Sequence, residues 1–226
     1  MQIEVLYRPS YSLAVIRLAP NEEIRLEAGA MVSMSQGVSI ETRAAGGLLK
    51  SLGRSLLGGE SFFQNFFTAP PEGGEITVAP ELPGDVFTYE MSGESLMIQA
   101  GSFMACETSI ELNTKVGLKG IMAAEGFSML EATGTGKLLL SSYGAIHEKE
   151  LAVGERYIVD STHLVAFPAS MPVEPKTVGG LKSTLLSGEG FVVELTGPGR
   201  LMMQTRSQNA FLSWLVPKLP FKRQGD

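Results

Sequence analysis

The chain has 226 residues, at the upper end of a single β domain, and its 44% hydrophobic and 19% charged residues exclude the disordered and collagen-like classes. Its 26 glycines and 12 prolines imply many tight turns and argue against long helices. The 24 acidic residues outnumber the 18 basic ones for a net charge of −6, so the molecule as a whole has no electrostatic footprint for nucleic acid or an anionic membrane.

Met1 to Tyr11 carries Glu4 and Arg8 where a signal peptide would need an apolar run, and the lone Cys106 cannot form an intramolecular disulfide, which together predict a cytoplasmic protein. β-rich segments follow at Ile3 to Tyr7, Leu13 to Leu18 and Val38 to Thr42. Residues 46 to 58 then set leucines at 48, 49, 52, 56 and 57 close to one helical face, with Lys50 and Arg54 and no acid between them. Four phenylalanines crowd into 62 to 67 directly afterwards. If exposed, Leu48, Leu49, Leu52, Leu56 and Phe63 or Phe67 could seat on a membrane surface or a partner groove, with Lys50 and Arg54 meeting anionic headgroups. If buried, they close one end of the fold or a subunit interface. Burial is the preferred reading, because adjacent phenylalanines fit a strand covered on both faces. Further strands are predicted at Glu75 to Val78, Val86 to Met91, Ser95 to Gln99, Ser109 to Val116, Leu138 to Tyr143, Tyr157 to Val159, Phe191 to Leu195 and Leu201 to Thr205. Turns are predicted at Gly73-Gly74, Pro83-Gly84-Asp85, Gly134-Thr135-Gly136 and Gly197-Pro198-Gly199. A terminal helix over Ser207 to Val216 ends at Pro217, and its Phe211, Trp214 and Leu215 share a face that should dock on the sheet, with Trp214 a further candidate contact residue.

Three stretches share one order of features. The first runs Glu27-Ala28-Gly29-Ala30-Met31, Gly47-Leu48, Gly59-Glu60-Ser61-Phe62, Gly74-Glu75-Ile76; the second Gln99-Ala100-Gly101-Ser102-Phe103, Gly117-Leu118, Ala124-Glu125-Gly126-Phe127, Gly134 to Leu138; the third Val159 to His163, Gly180-Leu181, Gly188-Glu189-Gly190-Phe191, Gly197 to Leu201. The common element is a hairpin written three times, with an insertion in the first copy. Phe62, Phe127 and Phe191 should enter equivalent core layers, and Glu75, Lys137 and Arg200 should mark solvent-facing strand starts. The chain therefore reads as one all-β domain, 1–226, with repeats at about 27–80, 99–143 and 159–206 and a helix and tail at 207–226.

This order of motifs, carried by Glu27-Ala28-Gly29, Gly46-Gly47-Leu48, Gly134 to Leu140, Gly179-Gly180-Leu181 and Gly188 to Phe191, resembles a family of bacterial proteins of unknown function related to altered inheritance of mitochondria protein 24. The resemblance extends from Ile3 to Thr205. It implies a fold like that of the trp RNA-binding attenuation protein, a β-sandwich or double-stranded β-helix, assembled into homo-oligomers such as trimers. It also implies a link of the mitochondrial relatives to inner-membrane organisation, and it carries no ligand site.

No catalytic constellation is legible. His147 and His163 lie sixteen residues apart without His-x-His or His-Glu-x-x-His spacing, so no metal or other cofactor is expected; His147 reads as a solvated strand edge and His163 as a half-buried ring satisfied by backbone. Cys106 follows Phe103-Met104-Ala105, an apolar setting that makes an inert thiol. Gly134-Thr135-Gly136-Lys137 lacks the earlier glycine and the following Ser or Thr of a phosphate loop. Glu22-Glu23 and Glu107 with Glu111 read as surface charges, and the basic residues are too scattered for nucleic acid. The expectation is a non-enzymatic homo-oligomeric scaffold or binding protein, with a peripheral membrane protein and a small-molecule-binding barrel as alternatives.

Overall fold

The computed structural model describes residues 1–44, 63–115, 128–176 and 192–220. These form eighteen strands and one α-helix: β1 (Gln2–Leu6), β2 (Leu13–Leu18), β3 (Glu23–Glu27), β4 (Met31–Met34), β5 (Ser39–Ala44), β6 (Phe63–Thr68), β7 (Gly74–Val78), β8 (Val86–Ser92), β9 (Leu96–Gln99), β10 (Phe103–Glu107), β11 (Ile110–Lys115), β12 (Met129–Ser141), β13 (Ile146–Leu151), β14 (Arg156–Asp160), β15 (Leu164–Pro168), β16 (Val173–Lys176), β17 (Val192–Thr196), β18 (Gly199–Gln204) and α1 (Gln208–Leu215). The architecture is mostly β with a short terminal helix. Leu48, Leu49, Lys50, Leu52, Arg54 and Leu56, with Phe62, Phe127 and Phe191, lie outside the described residues.

All pairs among the described strands are antiparallel. β5 and β3 flank β6, β11 and β9 flank the first half of β12, and β16 and β14 flank β17. β2 and β4 flank β7, β8 and β10 flank the second half of β12, and β13 and β15 flank β18. Two further pairings join these sets, β10 with β3 and β15 with β9. Strand β3 illustrates the local logic: Ile24 and Leu26 are buried between half-buried Glu23, Arg25 and Glu27, the period-two alternation of a strand with one face in the core.

The core has three adjoining clusters. Ile16, Ile24, Leu26, Phe67 and Ile76 centre the first, Leu96, Ile98, Phe103, Ile110 and Leu138 the second, and Leu151, Leu164, Phe167, Leu195 and Leu201 the third. Each large side chain removed from water contributes on the order of 2 kcal/mol.

The Gly134-Thr135-Gly136 stretch is not a turn. β12 runs unbroken through it, with φ of +119° at Gly134 and +139° at Gly136. The reason lies across the sheet: a Cβ on Gly134 would fall 2.4 Å from the Ser109 carbonyl oxygen, and one on Gly136 2.5 Å from a Glu107 carboxylate oxygen. The glycines let the 107–109 turn approach the strand. Lys137 consequently stands within β12, paired with Glu90, and does not start a strand, whereas Glu75 and Arg200 have side chains 46% exposed as expected.

Helix α1 starts where the Ser207 hydroxyl accepts a hydrogen bond from the Ala210 N–H at 3.3 Å, and Pro217 lies in the 3₁₀ turn Val216–Lys218 that follows it. Its anticipated docking face is only partly used. Phe211 meets the Tyr143 ring edge-on at 6.1 Å and is half-buried, but Trp214 stacks on Phe211 and stays 57% exposed.

Candidate functional site

Among the residues nominated from sequence, Phe67 is corrected outright as a membrane or partner contact. It is 1% exposed, paired with Ile24 and Ile40 across the neighbouring strands and enclosed in the first core cluster. The alternation of β6 sends its neighbour Phe66 to the opposite face, where the Arg43 guanidinium covers the ring at 3.9 Å and Arg25 lies 5.2 Å away. Both phenylalanines are thus covered, as the adjacent pair suggested. Phe63 opens β6. Trp214 keeps its exposure and lies beside Lys218, whose ammonium is 4.9 Å from the indole.

The reactive side chains singled out are held in structural roles. Cys106 is 1% exposed, and burial, against a small opposing effect of Arg25, pushes its thiol up to about 12. His163 Nδ1 sits 2.7 Å from the Gln204 carbonyl oxygen, while His147 is exposed on β13, the outer strand of its sheet. Asp85 is 3% exposed; burial opposes its charge, but the Arg8 guanidinium at 2.8 and 2.9 Å, the Ser12 hydroxyl and the Val86 N–H together hold its carboxyl below the ordinary range. This cluster ties the β1–β2 connection to the start of β8.

Sequence reasoning missed a cavity of about 200 Å³. Its wall is assembled from the ends of β3, β9 and β14 and the segments that follow them, supplying Glu27 and Ala30, Gln99 and Gly101, and Thr162. The 79–82 segment, residues 141–143, Gln204 and the start of α1 complete it. Gln204 is fixed at both ends of its amide, accepting from the Tyr143 N–H at 2.9 Å and donating to the Thr162 carbonyl at 2.9 Å. Glu27 is the unusual group. Burial, and secondly the negative charge of Glu81, push its carboxyl up to about 7.

The family model for mitochondrial biogenesis AIM24 matches residues 3–206. The chain belongs to the AIM24 family. This AIM24 chain is similar to an uncharacterized protein of Streptococcus pyogenes serotype M6, 26% identical over 220 residues that cover 93% of this chain and 88% of that protein. It is also similar to altered inheritance of mitochondria protein 24 of Talaromyces marneffei, 25% identical over 73% of this chain and 41% of that protein, and of Emericella nidulans, 24% identical over 92% and 49%. The AIM24 chain thus spans less than half the length of these fungal relatives. A crystal structure of a Streptococcus pyogenes protein matches the fold with a TM-score of 0.82 and 24% identity, covering 96% of this chain and 99% of that one.

Proposed function

We propose that this AIM24-family protein is a non-enzymatic, homo-oligomeric scaffold or binding protein of the cytoplasm that acts through its surfaces, and that it is built from one supersecondary unit used three times. The pairing registers support the repeat. Met31 opposes Val78, Phe103 opposes Leu140 and Leu164 opposes Met203, each followed by a register shift, and each stands four residues after Glu27, Gln99 or Asp160. Between units, Ala105 pairs with Leu26 and Ala166 with Ile98 at equivalent offsets. The third such pairing would join β4 to β14, and no pairing between those two strands occurs.

These two edges, without a strand pairing to each other among the described residues, carry the oligomeric reading. All four residues of β4 are exposed, with Met31 at 39%, Val32 at 57% and Met34 at 41%, and Ile158 on β14 is 54% exposed. An apolar strand with an unpaired edge invites another strand unless something covers it. Sedimentation velocity at micromolar concentration is expected to show an oligomer, and Val32→Glu combined with Met34→Glu to yield a folded, smaller species. A wild-type monomer under the same conditions would refute the assembly.

A second reading, peripheral membrane attachment, draws on one further observation: Leu212, Trp214, Val216 and Leu219 are all more than 40% exposed around Lys218. An amphipathic, basic-flanked end of this kind suits a lipid interface. No described helix is long and apolar enough to cross a membrane. Flotation with acidic liposomes is expected to carry the protein upward, and Trp214→Glu to abolish this; equal flotation of both proteins, or of neither, would remove the membrane reading.

A further inference from the structure

The cavity is electrically one-sided. Among the described residues its titratable lining groups are Glu27, Glu81 and Tyr143, with no lysine, arginine or histidine. Elsewhere the molecule matches such carboxylates: Arg8 grips Asp85, and Arg156 and Lys176 both approach Glu194. The side-chain carboxylates of Glu27 and Glu81 have no hydrogen bond or ion pair among the described residues, although the Glu27 main chain is bonded to Ala30 and paired with β6. Glu27 is half-buried and faces the charge of the exposed Glu81 without a counter-charge, a cost that either a proton or a bound cation relieves.

We propose that this cavity binds a small organic ammonium compound, with Glu27 and Glu81 receiving its positive group. The remaining wall suits the rest of such a molecule. Ala30, Ala79, Pro80 and Leu82 offer apolar surface for a methylene body, and Gln99, Ser141 and Asn209 offer polar side chains for hydroxyl or amide groups. A bare metal ion fits less well. Among the described residues no group of three or more His, Cys, Asp or Glu stands close enough to hold one, and an ion gains nothing from the apolar side. The cavity is also small, matching a metabolite of a few carbons better than a drug-sized ligand. The proposal does not rest on the oligomeric reading above.

The test is isothermal titration calorimetry of the full chain with 1,4-diaminobutane and with ethanolamine as probes, and with calcium and magnesium chloride as competing cations. Saturable one-to-one binding of at least one amine is expected, weakened at least about tenfold by Glu27→Gln and by Glu81→Gln and unchanged by Glu72→Gln on the exposed surface. Thermal melts establish that each variant is folded, and the Glu81 variant serves should the Glu27 variant alter the fold. Amine binding should also weaken from about pH 8 to about pH 5, as protons compete for the Glu27 carboxylate. No heat with either amine, equal affinity in wild type and both glutamine variants, or saturation by the metal salts that excludes the amines would each overturn the proposal.

Discussion

Gly84→Ala is expected to destabilise the fold by more than about 3 kcal/mol, read as a fall in the urea midpoint. A Cβ at this position would lie 1.6 Å from the Ser142 carbonyl oxygen, a backbone atom that cannot swing aside. Moving the 142–144 segment would disturb a dense set of main-chain bonds. Gly84 forms a bridge with Gly144, its carbonyl accepts the Ser12 N–H at 3.0 Å, the Asp85 N–H donates to Gly144 at 2.9 Å, and the Ser142 N–H donates to Asp85 at 3.0 Å. Gly144 is itself confined, with Thr205 Oγ1 2.4 Å from where its own Cβ would be. Gly93→Ala provides the contrast. Nothing lies within 4 Å of its Cβ position, and only its φ of +103° resists a side chain, a penalty of about 1–2 kcal/mol. If Gly84→Ala proved no more damaging than Gly93→Ala, the close approach of these two segments would be wrong.

Glu27→Gln is expected to stabilise the protein at alkaline pH and to leave it nearly unchanged in acid. In the unfolded chain a glutamate titrates near 4.3, whereas burial beside Glu81 raises the folded value to about 7. Between those values the folded state holds a proton that the unfolded state has released, so rising pH weakens the fold across this window. Above it the full penalty is present; allowing for the residue's partial exposure, the gain from glutamine at pH 8 should be of the order of 2–3 kcal/mol, with almost none at pH 4. Chemical denaturation at the two pH values measures the difference. A variant that gains equally at both would show that the carboxylate charge is not what the cavity resists.

Much of the strand content is written locally. Leu13 to Leu18 and Val86 to Met91 read as strands from β-rich composition and are found as β2 and β8 with nearly the same limits. What escaped was decided by distant neighbours. Gly134 and Gly136 carry ordinary turn chemistry, and only the nearness of Glu107 and Ser109 explains why the chain continues straight through them. Leu164 to Phe167, buried at every position, lacks the alternation that marks a half-covered strand, because β15 is packed on both faces: Leu164 and Phe167 enter the third core cluster and Val165 and Ala166 the second. The cavity escaped because its walls come from positions as far apart as Glu27 and Gln204. A signal was present all the same: Glu27 and Gln99 head two of the aligned motifs, and the 3₁₀ turns beginning at Ala100 and Ser161 set Asp160, one residue beyond the Val159 of that alignment, in the corresponding place. The aligned motifs flagged the positions without saying that their ends converge.

Strand β12 binds β9 and β11 along its first half and β8 and β10 along its second. One continuous stretch of backbone therefore belongs to two sheets at once, and β10 and β15 reach across to β3 and β9. A break within β12 is therefore expected to loosen both sheets together, so that damage to either half of this strand is felt in the other.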